Sequence, residues 1–384
     1  MKVMGRSSIK KVEVRADGTG LSSRAGTALL PLAAERLGLT DALGWALGET
    51  RERRSAHDPG RVFCDLAVML ADRGRCVSDL VALGSQPALF GEVASISTAR
   101  RVLLSVGAGE LDRLRRARAQ ARARAWAAGA APEEVILDFD ATPITAHSDK
   151  ELAAGHYKGG FGFHPLLASC GREVLAAILR PGNAGANSAA DQIQVAEAAL
   201  AQIPAAHIAT IELLLRVDSA GACHELLDWC REGRIAFSVG YDLTEAVRAA
   251  ILVIPDSAWV SALDQDGQQR PNGHVCEITE QLDLDGWPTG SRVLVRRERA
   301  HPGAQLTFTD VDGHRFQAIL TDQTGPVAEI ERDHRGRARV EDHIRNDKDT
   351  GLSNLPFRGF AHNRVWLQIV LIAHDLLAWT RRCC

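Results

Sequence analysis

No uninterrupted apolar stretch in the 384 residues approaches the ~18 to 20 that a membrane-spanning helix needs. The closest, Val365 to Trp379, is broken by Gln368, His374 and Asp375, which excludes a membrane partner and predicts a soluble protein. Met1 to Gly18 mixes Lys10 and Lys11 with Glu13 and Asp17 and has no apolar secretion segment, so a cytoplasmic address is expected. The eight cysteines include no C-x-x-C pair and no Cys/His cluster at zinc spacing, and read as reduced, mostly buried thiols. Internal repeats are absent. A strongly basic balance is missing too: the net charge is −3, so a nucleic-acid partner must be argued from local charge.

What is present is ample apolar content, 46% against 24% charged, in a chain long enough for two or three domains. Residues 21 to 130 are rich in Ala, Leu and Arg. Helical spacing recurs in Leu29-Leu30-x-Leu32-x-x-x-x-Leu37 and in Phe63-x-x-Leu66-x-x-Met69-Leu70, which predicts an all-helical third. Ser97 or Thr98 is expected to cap a helix through Arg100 and Arg101. From Arg100 to Trp126 eight arginines (100, 101, 113, 115, 116, 118, 122, 124) face only Glu110 and Asp112. Such a run is either a solvated helix face or a surface that tracks phosphates, with Arg100, Arg101, Arg115 and Arg116 as the candidate contacts.

After Pro132 the texture changes to α/β. Strands are expected at Glu134 to Thr142, Phe161 to Ser169 and Glu173 to Leu179, the last two joined as a hairpin at Gly171-Arg172. A helix follows at Ala189 to Gln202, a strand at Thr210 to Val217, a helix at Gly221 to Glu232 and a strand at Ile235 to Tyr241. Between 256 and 324 short antiparallel strands are expected at 292–296, 305–309 and 316–321, with Asp312-Gly313 as a turn. Helical periodicity returns from Arg332 and ends in the apolar helix Trp366 to Trp379.

The residues that could carry chemistry are acids. Period-two alternation sets Asp138 and Asp140 on one face of an apolar strand, where a carboxylate is costly unless paired or bound to a cation. Asp218 stands where the strand ending at Val217 runs out, a place where α/β proteins put functional groups and also where a carboxylate caps the next element. A third acid is needed to hold hard divalent ions, and Glu341 is the candidate. It follows Arg337 by four residues and precedes Lys348 by seven, so all three share a helix face; a plain surface ion pair gives the same spacing. The motif Asp138-x-Asp140-x-Thr142 also fits the nucleophile pair of a haloacid-dehalogenase-type phosphatase. Against it, no helix is expected after that strand and no G-D-x-x-x-D follows downstream.

Taken together, four segments make the chain resemble a bacterial insertion-sequence transposase of the D-D-E type, most closely the insertion-sequence thirteen-eighty family within the Y-R-E-K group. They are Leu137-Asp138-Phe139-Asp140-Ala141-Thr142; His156-Tyr157 followed by Gly162-Phe163-His164-Pro165-Leu166; Leu179-Arg180-Pro181-Gly182-Asn183; and Leu215-Arg216-Val217-Asp218-Ser219. The signature Y-x2-R-x3-E-x6-K falls on His334, Arg337, Glu341 and Lys348, with His in place of Tyr. The resemblance spans nearly the whole chain.

It implies an RNase H-like core, a mixed sheet flanked by helices, with Asp140, Asp218 and Glu341 as catalytic and metal-binding triad and Asp138 as an auxiliary acid. The implied domains are a helical DNA-binding domain (1–130), a first part of the core (131–255), a β-rich insertion (256–324) and a C-terminal helical part of the core (325–384). The implied cofactor is Mg2+, with Mn2+ as substitute, in a two-metal phosphoryl transfer that nicks element ends and joins them to target DNA. His334, Arg337 and Lys348 would contact phosphates, and Trp259 or Trp287 of the insertion would either stack on a flipped base or lie in the core. The partners implied are double-stranded DNA (terminal inverted repeats and target) and a second copy of the chain in the DNA complex, in a nucleoid-associated setting. Relatives continue beyond Arg382-Cys383-Cys384, which points to a truncated copy and to the competing expectation of a non-catalytic, repurposed DNA-binding protein.

Overall fold

A computed structural model describes residues 23–50, 56–185, 188–208, 212–299, 313–338 and 344–383. The first third is helical: α1 (Leu29–Arg36), α2 (Leu39–Ala46), α3 (Pro59–Ala71), α4 (Ile96–Leu104) and α5 (Ala108–Ala125), linked by shorter turns. Asp58 starts α3 by accepting from the Gly60 and Arg61 amides at 2.9 and 3.2 Å, with Pro59 in the first turn where its missing N–H costs nothing. A Cβ on Gly60 would lie 2.0 Å from the Gly44 nitrogen, so the crossing of α2 and α3 requires glycine there. The cap of α4 is Ser95, whose hydroxyl accepts from the Thr98 amide at 3.2 Å, two residues earlier than the expected Ser97.

Among the described residues, the rest of the chain builds one nine-stranded mixed sheet and a three-stranded one. In chain order come β1 (Ile136–Ala141), β2 (Ile144–Thr145), β3 (Ala154–Gly155), β4 (Phe161–Phe163), β5 (Leu166–Cys170) and β6 (Glu173–Ile178). Helix α6 (Ala189–Leu200), β7 (Leu214–Val217), α7 (His224–Glu232), β8 (Ala236–Tyr241) and α8 (Glu245–Val253) follow. Then come β9 (Val260–Leu263), β10 (Gln269–Glu277), β11 (Arg292–Arg299), β12 (His314–Thr321), α9 (Val327–Arg335) and α10 (Phe360–Cys383). The large sheet runs β6-β5-β1-β7-β8-β12-β11-β10-β9, and β2-β4-β3 form the small one. Only β1/β7 and β7/β8 are parallel neighbours; the other pairs are antiparallel.

The expected single strand Phe161 to Ser169 is two strands in two sheets, β4 and β5, separated at His164-Pro165. Proline has no N–H for a ladder, so it falls where the chain leaves one sheet for the other. The expected strand at 305–309 and Asp312 of the expected turn lie outside the described residues. Strands β11 and β12 pair antiparallel as read, and β12 pairs with β8, so the block 256–324 continues the main sheet.

Strands β5 and β7 are buried along their whole length, and α6 packs on β5 and β6. Helix α10 packs on β6 and on α1, α3 and α5, so one apolar core runs from Leu30 to Trp379. Buried charge joins the same elements. Arg118 and Arg122 of α5 meet Asp375 of α10 at 2.7 and 2.5 Å, and Arg122 also meets Glu173 of β6 at 2.8 Å. The indole nitrogens of Trp126 and Trp379 donate to Glu173 at 2.8 and 3.0 Å. Asp375, the acid that interrupts the apolar C-terminal run, is thus the buried partner of two arginines from the Arg-rich helix.

Candidate active site

Strands β1 and β7 are adjacent and parallel, so their carboxyl ends open on the same edge of the sheet. Asp140 is the penultimate residue of β1, and Asp218 directly follows β7. Asp218 uses Oδ1 to cap the short turn Ser219–Gly221, accepting from the Ala220 amide at 3.1 Å. Its Oδ2 lies 3.8 Å from Arg337 Nη2, and Asp140 Oδ1 lies 3.4 Å from the same nitrogen. Arg337 Nη2 also donates to the Phe139 carbonyl at 3.1 Å, which ties it to β1. Asp140, Asp218 and Arg337 line one cavity of about 430 Å³, together with Thr142, Tyr157, Lys158 and Gln192.

Arg337 reaches this place because α9 ends at Arg335 and tightens into the 3₁₀ turn Gly336–Ala338. Lys348 stands in a wide turn, Lys348–Leu352, and residues 339–343, which would carry a helix face shared by the two, lie outside the described residues. Glu341 lies outside the described residues; Arg337, four residues before it, and Ile344, three after it, line the cavity. Burial and the nearby Lys158 lower the Lys348 pKa while Asp140 opposes the shift, so both lysines stand in the electrostatic field of the site. Among the described residues no group of three His, Cys, Asp or Glu converges on a metal-sized point.

Asp138 has a different place. Arg216, its register partner on β7, donates to both carboxylate oxygens, 2.7 Å each, and also bonds the Asp333 carbonyl at the end of α9. Asp138 does not line the cavity. Both of its oxygens are engaged in a near-buried bidentate pair that couples β1, β7 and the helix from which Arg337 departs.

His334 is enclosed between Arg216, Arg296 and Arg337, and its Nδ1 is 2.9 Å from the Ser238 hydroxyl. Burial first, and then these three cations, hold its pKa down at about 3, so the ring is neutral at physiological pH. In this state it offers a hydrogen bond and not a positive charge.

The arginine run divides. Arg118 and Arg122 are in the core, Arg113 is held by the Ala46 carbonyl, Glu49 and Glu110, and Arg115 pairs with Asp112 at 2.7 Å. Arg100, Arg101 and Arg116 are exposed. Trp259 is buried under the Arg297 guanidinium, 4.4 Å from its ring centroid, and Trp287 stacks on His224 with centroids 4.0 Å apart. Arg216 and Tyr157 stand inside the motifs quoted above, with no role expected of either from the sequence. The signal for Arg216 was a cation next to the strand-end Asp218, opposite a buried acid.

The family described as Transposase DDE domain group 1 matches residues 4–384. Among solved structures, the chain is similar to a piggyBac transposase in a synaptic complex with hairpin DNA. The identity is 8% and the TM-score 0.48, over 94% of this chain and 75% of that one. No curated protein matches the chain.

Proposed function

The chain belongs to the Transposase DDE domain group 1 family, and from that membership we propose a DNA transposase that nicks the ends of a mobile element and joins them to target DNA. The observation that carries this reading is the approach of Asp140 and Asp218, 78 residues apart in sequence, to one guanidinium nitrogen, all three lining one cavity. We assign the chain to the insertion-sequence thirteen-eighty group of bacterial elements on the four motifs quoted above. The order β6-β5-β1-β7-β8, with the central strands parallel, supports an RNase H-like core. Helices α1 to α5 are assigned to DNA recognition, and residues 256–324 to an insertion that extends the core sheet.

The donor chemistry suits hard divalent ions. Two carboxylates already face a cation, the Arg337 guanidinium, in a polar cavity, and Glu341 would supply the third acid. We take Asp140, Asp218 and Glu341 to hold Mg2+, with Mn2+ as substitute. When bound, such ions would supply Lewis-acid activation of an attacking oxygen and stabilisation of a leaving one at phosphorus. Arg337 and Lys348 are the phosphate contacts beside the acids, with Arg337 exchanging its carboxylate partners for phosphate oxygens when DNA enters. His334, neutral and within 2.9 Å of the Ser238 hydroxyl, is assigned to phosphate contact only as a hydrogen-bond donor. Asp138, bound by Arg216, keeps β1, β7 and α9 in register and is assigned an auxiliary role. The partners are double-stranded DNA and a second copy of the chain, since two ends must be joined.

The test uses purified protein and a duplex carrying the element's terminal repeats. Expected is Mg2+-dependent nicking at the ends, abolished in Asp140→Asn, Asp218→Asn and Glu341→Gln with end binding preserved. End binding by the wild type with no nicking in Mg2+ or Mn2+ would replace this reading with the non-catalytic one.

A further inference from the structure

The active-site cavity has an aromatic rim that no catalytic role absorbs. Trp259 and Trp287 are occupied by protein partners, whereas the Tyr157 ring is 74% exposed and lines the cavity that holds Asp140 and Asp218. Leaving a tyrosine ring in water forgoes the burial of a large apolar surface. Its backbone is nonetheless fixed. Tyr157 and Lys158 form the tip of the β3–β4 hairpin, closed by Gly159 donating to the His156 carbonyl and His156 donating to the Gly160 carbonyl, 2.9 Å each. Gly159 sits at φ +81°, a conformation that favours glycine. Behind the ring, His164 packs with centroids 5.8 Å apart, and the Lys158 ammonium lies 5.5 Å from the Tyr157 centroid.

The tip therefore holds its backbone by hydrogen bonds and presents an exposed aromatic ring beside a cation, both lining the cavity that, on the proposed function, takes a phosphodiester. A phosphodiester brings nucleobases within one nucleotide's reach, and every base has a π-face that stacks on an aromatic ring. We infer that Tyr157 and Lys158 form a nucleobase subsite: Tyr157 stacks on an unpaired base next to the phosphodiester held at Asp140 and Asp218, and Lys158 contacts its phosphate. This inference rests on the transposase reading, and it assigns the contact to the hairpin tip instead of the tryptophans of residues 256–324.

The experiment uses the full chain with two short single-stranded probes in Ca2+ buffer, one built of 2-aminopurine nucleotides and one of the same length built of abasic sites. Wild type and Tyr157→Phe are expected to quench the 2-aminopurine fluorescence. Tyr157→Ala is expected to lose the quenching and to bind that probe roughly tenfold more weakly, while binding the abasic probe as wild type does. Lys158→Ala is expected to weaken both probes alike. If the wild type nicks element DNA yet Tyr157→Ala quenches and binds as wild type, the subsite is refuted and the transposase reading stands. A wild type that binds neither probe overturns both.

Discussion

Arg337 holds its guanidinium 3.4 Å from the Asp140 carboxylate, across 197 residues of sequence, and the same nitrogen faces Asp218. One side chain thus places its positive charge between two strand-end acids, one of them half exposed, that would otherwise repel each other. A divalent ion entering between those acids competes with the guanidinium. Arg337→Ala is expected to tighten Mn2+ binding to the DNA-free protein roughly fivefold, the ~1 kcal/mol scale of a partly screened ion pair, while lowering strand cleavage. A Mn2+ titration followed by electron paramagnetic resonance, beside a nicking assay, measures both. Weaker Mn2+ binding in the variant would refute the competition.

The α5–β6–α10 network is expected to dominate stability. Asp375→Ala leaves Arg118 and Arg122 buried without their shared carboxylate, a loss of about 3 to 5 kcal/mol. Thermal or urea unfolding should show it, and a change under 1 kcal/mol would mean that the arginines find other partners or water.

The exposed arginines are expected to act only on DNA. Arg100→Ala, Arg101→Ala and Arg116→Ala should leave unfolding unchanged. Each should reduce the slope of log affinity against log salt for duplex DNA by about one. Unchanged slopes in all three would move the phosphate-tracking surface elsewhere.

His334 gives the pH dependence a sign. Its folded pKa of about 3 lies below the ordinary histidine value of 6.5, so between these limits the unfolded chain binds more protons than the folded one. The folded state therefore keeps its full stability above pH 6.5 and loses part of it as the pH falls towards 3. His334→Gln is expected to flatten this fall in urea unfolding series across the same window. A series parallel to wild type would mean that His334 is protonated in the folded protein.

Local features were legible in sequence. The apolar run around Asp138 and Asp140 became β1, the run ending at Val217 became β7, and the Gly171-Arg172 turn joins β5 to β6. Those residues carry period, branching and turn chemistry within a few positions. What could not be read was decided by contacts distant in sequence. The Arg-rich helix looked like one charged face because nothing near Arg118 announces Asp375, 257 residues away. The pairing of β12 with β8 is equally non-local and made a block read as an insertion part of the main sheet. At the site, alternation put Asp138 and Asp140 on one face, a strand end marked Asp218 and the family resemblance marked Arg337, but the placing of Asp138 on Arg216 needed the register of two parallel strands.

The acids themselves are best tested by metal binding. Mn2+ binding in the presence of uncleaved end DNA should be strong in the wild type and largely lost in each of Asp140→Asn, Asp218→Asn and Glu341→Gln, with the fold intact by circular dichroism. A Glu341→Gln protein that binds Mn2+ and nicks DNA as the wild type does would contradict the three-acid site.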